Sequence, residues 1–228
     1  MSLTLRGSSQ TSSATLVRHG SSATTARPTN AGMVIWSGSV RPSNMVSPDI
    51  WVEELAGVAP VSDDFNRVDA ATLGTADSGH VWTSGLFGIT SNRAQSTGST
   101  QAVVDYGSAD ATITAKVVAH GGGSAGIVFR YVDASNYFGV TTTLVFKRVG
   151  GVLTNFAAFD AGATIAAGDT CRVTVSGSTI TVFRQAASTG SFVQVATYTD
   201  TSLATATKHG LRASAANGQI DTFRIDAV

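Results

Sequence analysis

The chain has no proline beyond Pro60, no glutamate beyond Glu54 and one cysteine in 228 residues. Proline lacks a backbone donor and interrupts strand pairing, so its absence leaves residues 61–228 free to pair without a break. Cleavage of a glycosidic bond by two carboxyl groups needs them ~5–5.5 Å apart for retention or ~6.5–9.5 Å apart for inversion. With no glutamate after position 54, that pair would have to come from aspartates. A lone Cys171 excludes an intrachain disulfide. It sits in the strand-like "TCRVTVSG" with no activating neighbour, which reads as a small buried residue rather than a catalytic thiol. Charged residues are only 13% and the formal net charge is zero, so no general electrostatic pull toward nucleic acid or an anionic membrane is expected. The first twenty residues lack an apolar signal core, and no run approaches the ~20 apolar residues of a membrane helix.

What is present falls into three stretches. Residues 1–32 are an arm in which thirteen of the first thirty residues are Ser or Thr. No acidic residue precedes Asp49, whereas Arg6, Arg18, Arg27 and Arg41 do. Such an arm has too little apolar surface for a core and is expected to be extended, either as a solvated tail or as an arm that orders against an acidic partner surface. Residues 33–62 hold the apolar runs "MVIW" and "DIWVEE" separated by prolines, with Trp36 and Trp51 as anchors. Twenty-odd residues cannot bury an independent core, so this segment should pack on the main domain, on another copy or on a neighbour.

Residues 63–228 alternate like short strands. "DATITAKVVAH" sets Ala111, Ile113, Ala115 and Val117 on one face, and "AGIVFRYVD" alternates Ile127, Phe129 and Tyr131 with Val128 and Arg130. That alternation turns Tyr131 to the core and Arg130 to solvent. Gly150-Gly151, "SGS" and Asn217-Gly218 mark turns. No stretch has a helical period. The economical fold is all-β, an antiparallel two-sheet sandwich of roughly 10–14 strands behind an extended arm.

Several motifs bear on chemistry. "GGSAG" fits G-x-S-x-G around Ser124, but a strand follows it where a nucleophile elbow needs a helix, so it reads as a turn. His19, His80, His120 and His209 show no metal spacing. Asp63 and Asp64 are adjacent and point to opposite faces of a strand, and Asp221 and Asp226 are too far apart to share a site locally. Glycan binding asks for less: an aromatic platform and nearby polar groups. The pieces are Trp82, Tyr106, Arg130 and Tyr137, with Tyr131 and His120 in reserve.

"DDFNRVD", "AGIVFRYVDASNYFGV", "GDTCRVTVSGSTITVFRQ" and "HGLRASAANGQIDTFRIDAV" together resemble the concanavalin A-like/laminin G-like jelly roll over 63–228. The resemblance implies that the first and last strands pair, with Phe65 and Phe223 together in the core. It also implies no cofactor beyond a structural calcium, for which Asp63, Asp64 and Asp221 would be the ligands. "VIWSGSVRPSNMVSPDIWVEE" is similar to a short segment of minor tail proteins of tailed bacteriophages that infect actinobacteria, with Trp36, Gly38, Pro42, Asp49 and Trp51 in the matching places. Pro48 replaces that segment's usual glycine, which puts its local turn in doubt. The second resemblance implies a virion protein made in the host cytoplasm, tail-borne or decorating the capsid. It would be a homo-oligomer attached to other virion proteins through Arg6, Arg18, Trp36 and Trp51. The sandwich would then face host-surface polysaccharide. The competing expectation is a glycan hydrolase or lyase of the same fold.

Overall fold

The computed structural model describes residues 14–18, 33–38, 50–53 and 58–228 except Thr189, with side chains from 58 onward except Ala157, Ala161 and Thr189. The chain divides into two compact units, 1–57 and 58–228. Among the described residues no helix is long and apolar enough to cross a membrane.

The first unit holds β1 (Ala14–Arg18), β2 (Met33–Gly38) and β3 (Ile50–Glu53). They form a three-stranded parallel sheet in chain order. Its register sets Val17 opposite Trp36 and Trp36 opposite Trp51. Arg18 lies at the end of β1, while Arg6, His19, Pro42, Pro48 and Asp49 lie outside the described residues.

The second unit is an antiparallel two-sheet jelly-roll sandwich. One sheet has six strands in the order β12-β11-β10-β9-β16-β7. These are β7 (Thr100–Asp105), β9 (Ala125–Asp133), β10 (Asn136–Val140), β11 (Leu144–Val149), β12 (Val152–Ala158) and β16 (Lys208–Ala213). The other sheet runs β15-β14-β13-β8-β17-β6-β5, with β4 also paired to β17. Its strands are β4 (Val61–Asp63), β5 (Phe87–Ile89), β6 (Ala94–Ser96), β8 (Ala111–Ala119), β13 (Thr170–Ser176), β14 (Thr179–Gln185), β15 (Val193–Thr199) and β17 (Gln219–Asp226). The sandwich therefore begins at Val61, two residues ahead of Asp63, because β4 and β17 pair Val61 with Ile225 and Asp63 with Phe223.

The two inner faces make the core. Ala111, Ile113, Ala115 and Val117 are all fully buried, as their alternation requires. Ile127, Phe129, Phe138, Val140, Val145 and Leu211 meet them from the six-stranded sheet. Cys171 lies in this core, where burial pushes its thiol up to about 12 and leaves it unreactive. Near the first strand, Trp82 packs between Phe65 and Phe223, at ring-centroid distances of 6.1 and 5.1 Å.

The alternation fails at Arg130. Lys208 pairs with Tyr131 and Gly210 with Val128, so two residues of β9, Phe129 and Arg130, face the single residue His209. This is a β-bulge, with Arg130 at φ 46. A bulge inverts every side chain beyond it. The expectation of a solvent-facing Arg130 and a core-facing Tyr131 is therefore reversed. Arg130 is fully buried, and Tyr131 packs with Tyr137 outside the main core.

Candidate functional site

A second, smaller apolar cluster lies on the outer face of the six-stranded sheet. It is built from Val103, Val128, Tyr137 and Phe146, with Tyr131 and Leu144 against it. These residues alternate with the core set along their strands, which is why they face outward. Beside them opens a cavity of about 230 Å³. Tyr137 and Phe146 form its apolar floor, and their rings meet edge to face at 5.7 Å.

The remaining lining comes from strands far apart in sequence. β11 and β12 bring Arg148 opposite Leu153 and Phe146 opposite Asn155. β7 and β16 bring Gln101 opposite Arg212. Ser99 and Thr141 complete the rim from the strand ends. Gln101 Nε2 lies 3.5 Å from the Tyr137 hydroxyl, a long contact that ties the two sides together.

Glycine makes the depression. A Cβ at Gly139 would lie 2.6 Å from the Phe146 ring and 2.9 Å from Arg212 Cδ. Its absence lets the Arg212 side chain run from β16 across β9 to β10, where Nη1 donates to the Val140 carbonyl at 3.2 Å. Arg212 is only 7% exposed, and its guanidinium carbon stands 4.9 Å from the centre of the Phe146 ring. Burial pulls its proton affinity below the ordinary guanidinium range.

Of the residues expected to meet a glycan, only Tyr137 lines this cavity. Trp82 is 5% exposed, and its indole N–H donates to Asp63 at 2.7 Å, so the core's need for aromatic bulk keeps it inside. Tyr106 is 2% exposed in the main core, where burial raises the pKa of its phenol, and its hydroxyl has no partner among the described residues. Arg130 is a structural clamp. Its Nη2 reaches Asp110 at 3.0 Å and the Gly177 carbonyl at 2.6 Å, while its backbone N–H donates to His209 Nδ1. His209 in turn donates from Nε2 to the Ser108 carbonyl at 2.9 Å. Its burial holds its pKa down at about 4, from an ordinary 6.5. His120 is likewise occupied, donating to the Ile165 carbonyl and accepting from the Ala125 N–H. Ser124 sits in the turn that opens β9, with no helix behind it.

The calcium ligands expected at Asp63, Asp64 and Asp221 do not converge. Asp221 is bound to Lys116 at 2.6 Å. Asp77, not Asp221, joins Asp63 and Asp64, with carboxylate oxygens within 4.8 Å. Each oxygen of Asp63 already accepts twice: Oδ1 from the Phe65 N–H and Arg67 Nη1, Oδ2 from Arg67 Nη2 and Trp82 Nε1. Arg67 also stands 3.9 Å from Asp77, so a protein cation already shares the charge of this cluster.

No protein-family model matches the sequence, and neither does any curated protein. Solved structures of similar shape include carbohydrate-binding modules and a domain crystallised with bound sugar. The carbohydrate-binding module CBM66 from Bacillus subtilis is 16% identical, with 62% of this chain and 91% of the module covered, at a TM-score of 0.44. The VIP36 exoplasmic/lumenal domain in its Ca2+/Man2-bound form is 14% identical, with 73% and 89% covered, at 0.49. The CBM2 module of the evolved Dit of Lactobacillus casei BL23 phage J-1 is 13% identical, with 74% and 96% covered, at 0.39.

Gln101, Phe146, Arg148, Asn155 and Arg212 are not among the residues expected from the sequence to form a site. Two signals were present. Gly139 and Gly126 interrupt apolar strands, and Arg212 stands in the otherwise apolar "HGLRAS". A glycine inside a strand marks close approach by another group.

Proposed function

We infer that this is a non-catalytic glycan-binding protein of a tailed-phage virion, held by its first unit and binding host-surface polysaccharide through its sandwich. The observation that carries the binding half is the cavity on the outer face of the six-stranded sheet. It combines an aromatic floor with amide, hydroxyl and guanidinium groups at the rim, the chemistry that reads sugar hydroxyls above an apolar ring face. The virion half is supported by the tail-protein-like segment at residues 34–54.

Among the described residues no Asp, Glu or His lines the cavity, so these offer no carboxyl or imidazole proton donor for glycoside hydrolysis. An elimination would have to use the Tyr137 hydroxyl as its base. Incubating the full chain with host envelope polysaccharide should release neither new reducing ends nor unsaturated sugars. Release of either sinks the non-catalytic reading.

Binding is tested with the full chain on an array of host-envelope glycans, beside the variants Gln101→Ala and Asn155→Ala. Retention of wild-type binding by both would move the ligand away from this cavity. Attachment is tested by Trp36→Ala and Trp51→Ala, which should reduce incorporation into particles while leaving the melting temperature of the sandwich in place. Equal incorporation argues against the attachment role. A density map of the particle then separates tail from capsid.

A further inference from the structure

The charge of the cavity is unbalanced. Arg67, Arg130, Arg184 and Arg224 each pair with an aspartate. Arg148 and Arg212, which share the cavity, pair with no carboxylate among the described residues. Arg212 is the sharper case. It is 93% buried (7% exposed), yet its Nε has no partner among the described residues, and its Nη1 has only the Val140 carbonyl and a 3.4 Å contact to Ser124 Oγ. A carbonyl and the face of Phe146 do not neutralise a cation withdrawn from water. The Nε of Arg148 is also buried and unpartnered. Buried unsatisfied donors in a folded protein call for a physical cause, and a bound ion is one such cause. Two guanidiniums in the lining of one cavity, with no acid beside them among the described residues, have the chemistry of a receptor for an anion.

We propose that this cavity is the anion subsite of the glycan-binding surface, taking the carboxylate or phosphate carried by an acidic sugar between Arg148 and Arg212. This rests on the glycan reading above and narrows it from saccharides in general to charged ones. A guanidinium presents parallel N–H donors that match the two oxygens of a carboxylate, and a phosphate offers the same spacing. A volume of about 230 Å³ suits the charged end of one sugar unit rather than a chain segment. Gln101, Asn155 and Ser99 would then take its hydroxyls.

The test uses the full chain, with arginine Nε–Hε signals followed by NMR and affinity by calorimetry. The probes are glucuronic acid, glucose 6-phosphate, glucose, sodium acetate and inorganic phosphate. Glucuronic acid or glucose 6-phosphate should shift the Arg148 and Arg212 signals and bind about tenfold or more tighter than glucose, an advantage that shrinks as salt rises. Whichever of the two binds better assigns the subsite to a carboxylated or a phosphorylated sugar. Arg148→Gln, at a partly exposed position, should abolish that advantage without altering the fold; an unchanged preference overturns the proposal. Glucose bound as tightly as the acidic sugars overturns the anion subsite and leaves the glycan reading standing. Acetate or phosphate moving both arginines while no sugar does so overturns the glycan reading and the sugar part of the proposal. Silence from all five probes overturns both.

Discussion

Arg67 and Arg212 are built alike up to a point. Each holds its guanidinium near a phenylalanine ring, Arg67 at 5.7 Å from the centre of Phe65 and Arg212 at 4.9 Å from that of Phe146. From there they part. Arg67 makes a two-pronged bond to Asp63, whose carboxylate also receives Trp82 and a backbone N–H, and every acceptor position is filled. Arg212 is more deeply buried and has no acid at all among the described residues. The first arrangement is closed, and its groups serve the fold. The second leaves a buried donor without a partner and a cation without an acid among the described residues. Arg130 stands between the two: Asp110 and backbone carbonyls tie it to loops at another part of the sandwich, yet its Nη1 has no partner among the described residues.

The difference can be broken by mutation, and the closed cluster should show the largest effect. Asp63→Ala strands Arg67 and the Trp82 N–H, and should cost about 4 kcal/mol of unfolding free energy in urea titration. A loss near zero would mean that Arg67 simply swings into water. Next comes acid. The folded pKa of His209, about 4, lies below its ordinary 6.5, so the unfolded chain takes the proton first. Its contribution is complete above pH 6.5 and drains away as the pH falls toward 4, by roughly 3 kcal/mol. Urea midpoints across that window should show the slope, and His209→Gln should flatten it.

On the open side the effects are smaller. Gly139→Ala drives a methyl into the Phe146 ring and the Arg212 stem, and should cost about 2 kcal/mol by overpacking while weakening glycan binding. Smallest of all is Arg212→Met. Replacing an unpaired buried charge with an apolar chain of similar length should leave stability within about 1 kcal/mol of wild type, or raise it, while the preference for acidic sugars disappears. If that variant is destabilised as much as Asp63→Ala, Arg212 is a structural residue, and the contrast between the two arginines collapses.

Much of the fold was legible in the chain itself. Period-two alternation in β8, turn glycines and the missing prolines pointed to a two-sheet antiparallel sandwich. The pairing of its first and last strands, with Phe65 and Phe223 in the core, followed from the jelly-roll resemblance; that Trp82 packs between the two rings did not. The scarcity of carboxylates made acid-pair hydrolysis a poor reading before any geometry was known. The site was not legible, for two physical reasons. Alternation assigns faces only while register holds, and one bulge at Arg130 exchanged the positions of Arg130 and Tyr131. The cavity also gathers residues from Ser99 to Arg212, on strands that become neighbours only when the sheet pairs β10, β9, β16 and β7. Local pattern determines which residues can be strand and core. Which charges find a partner depends on distances between strands remote in sequence, and that was decided only by the folded sheets.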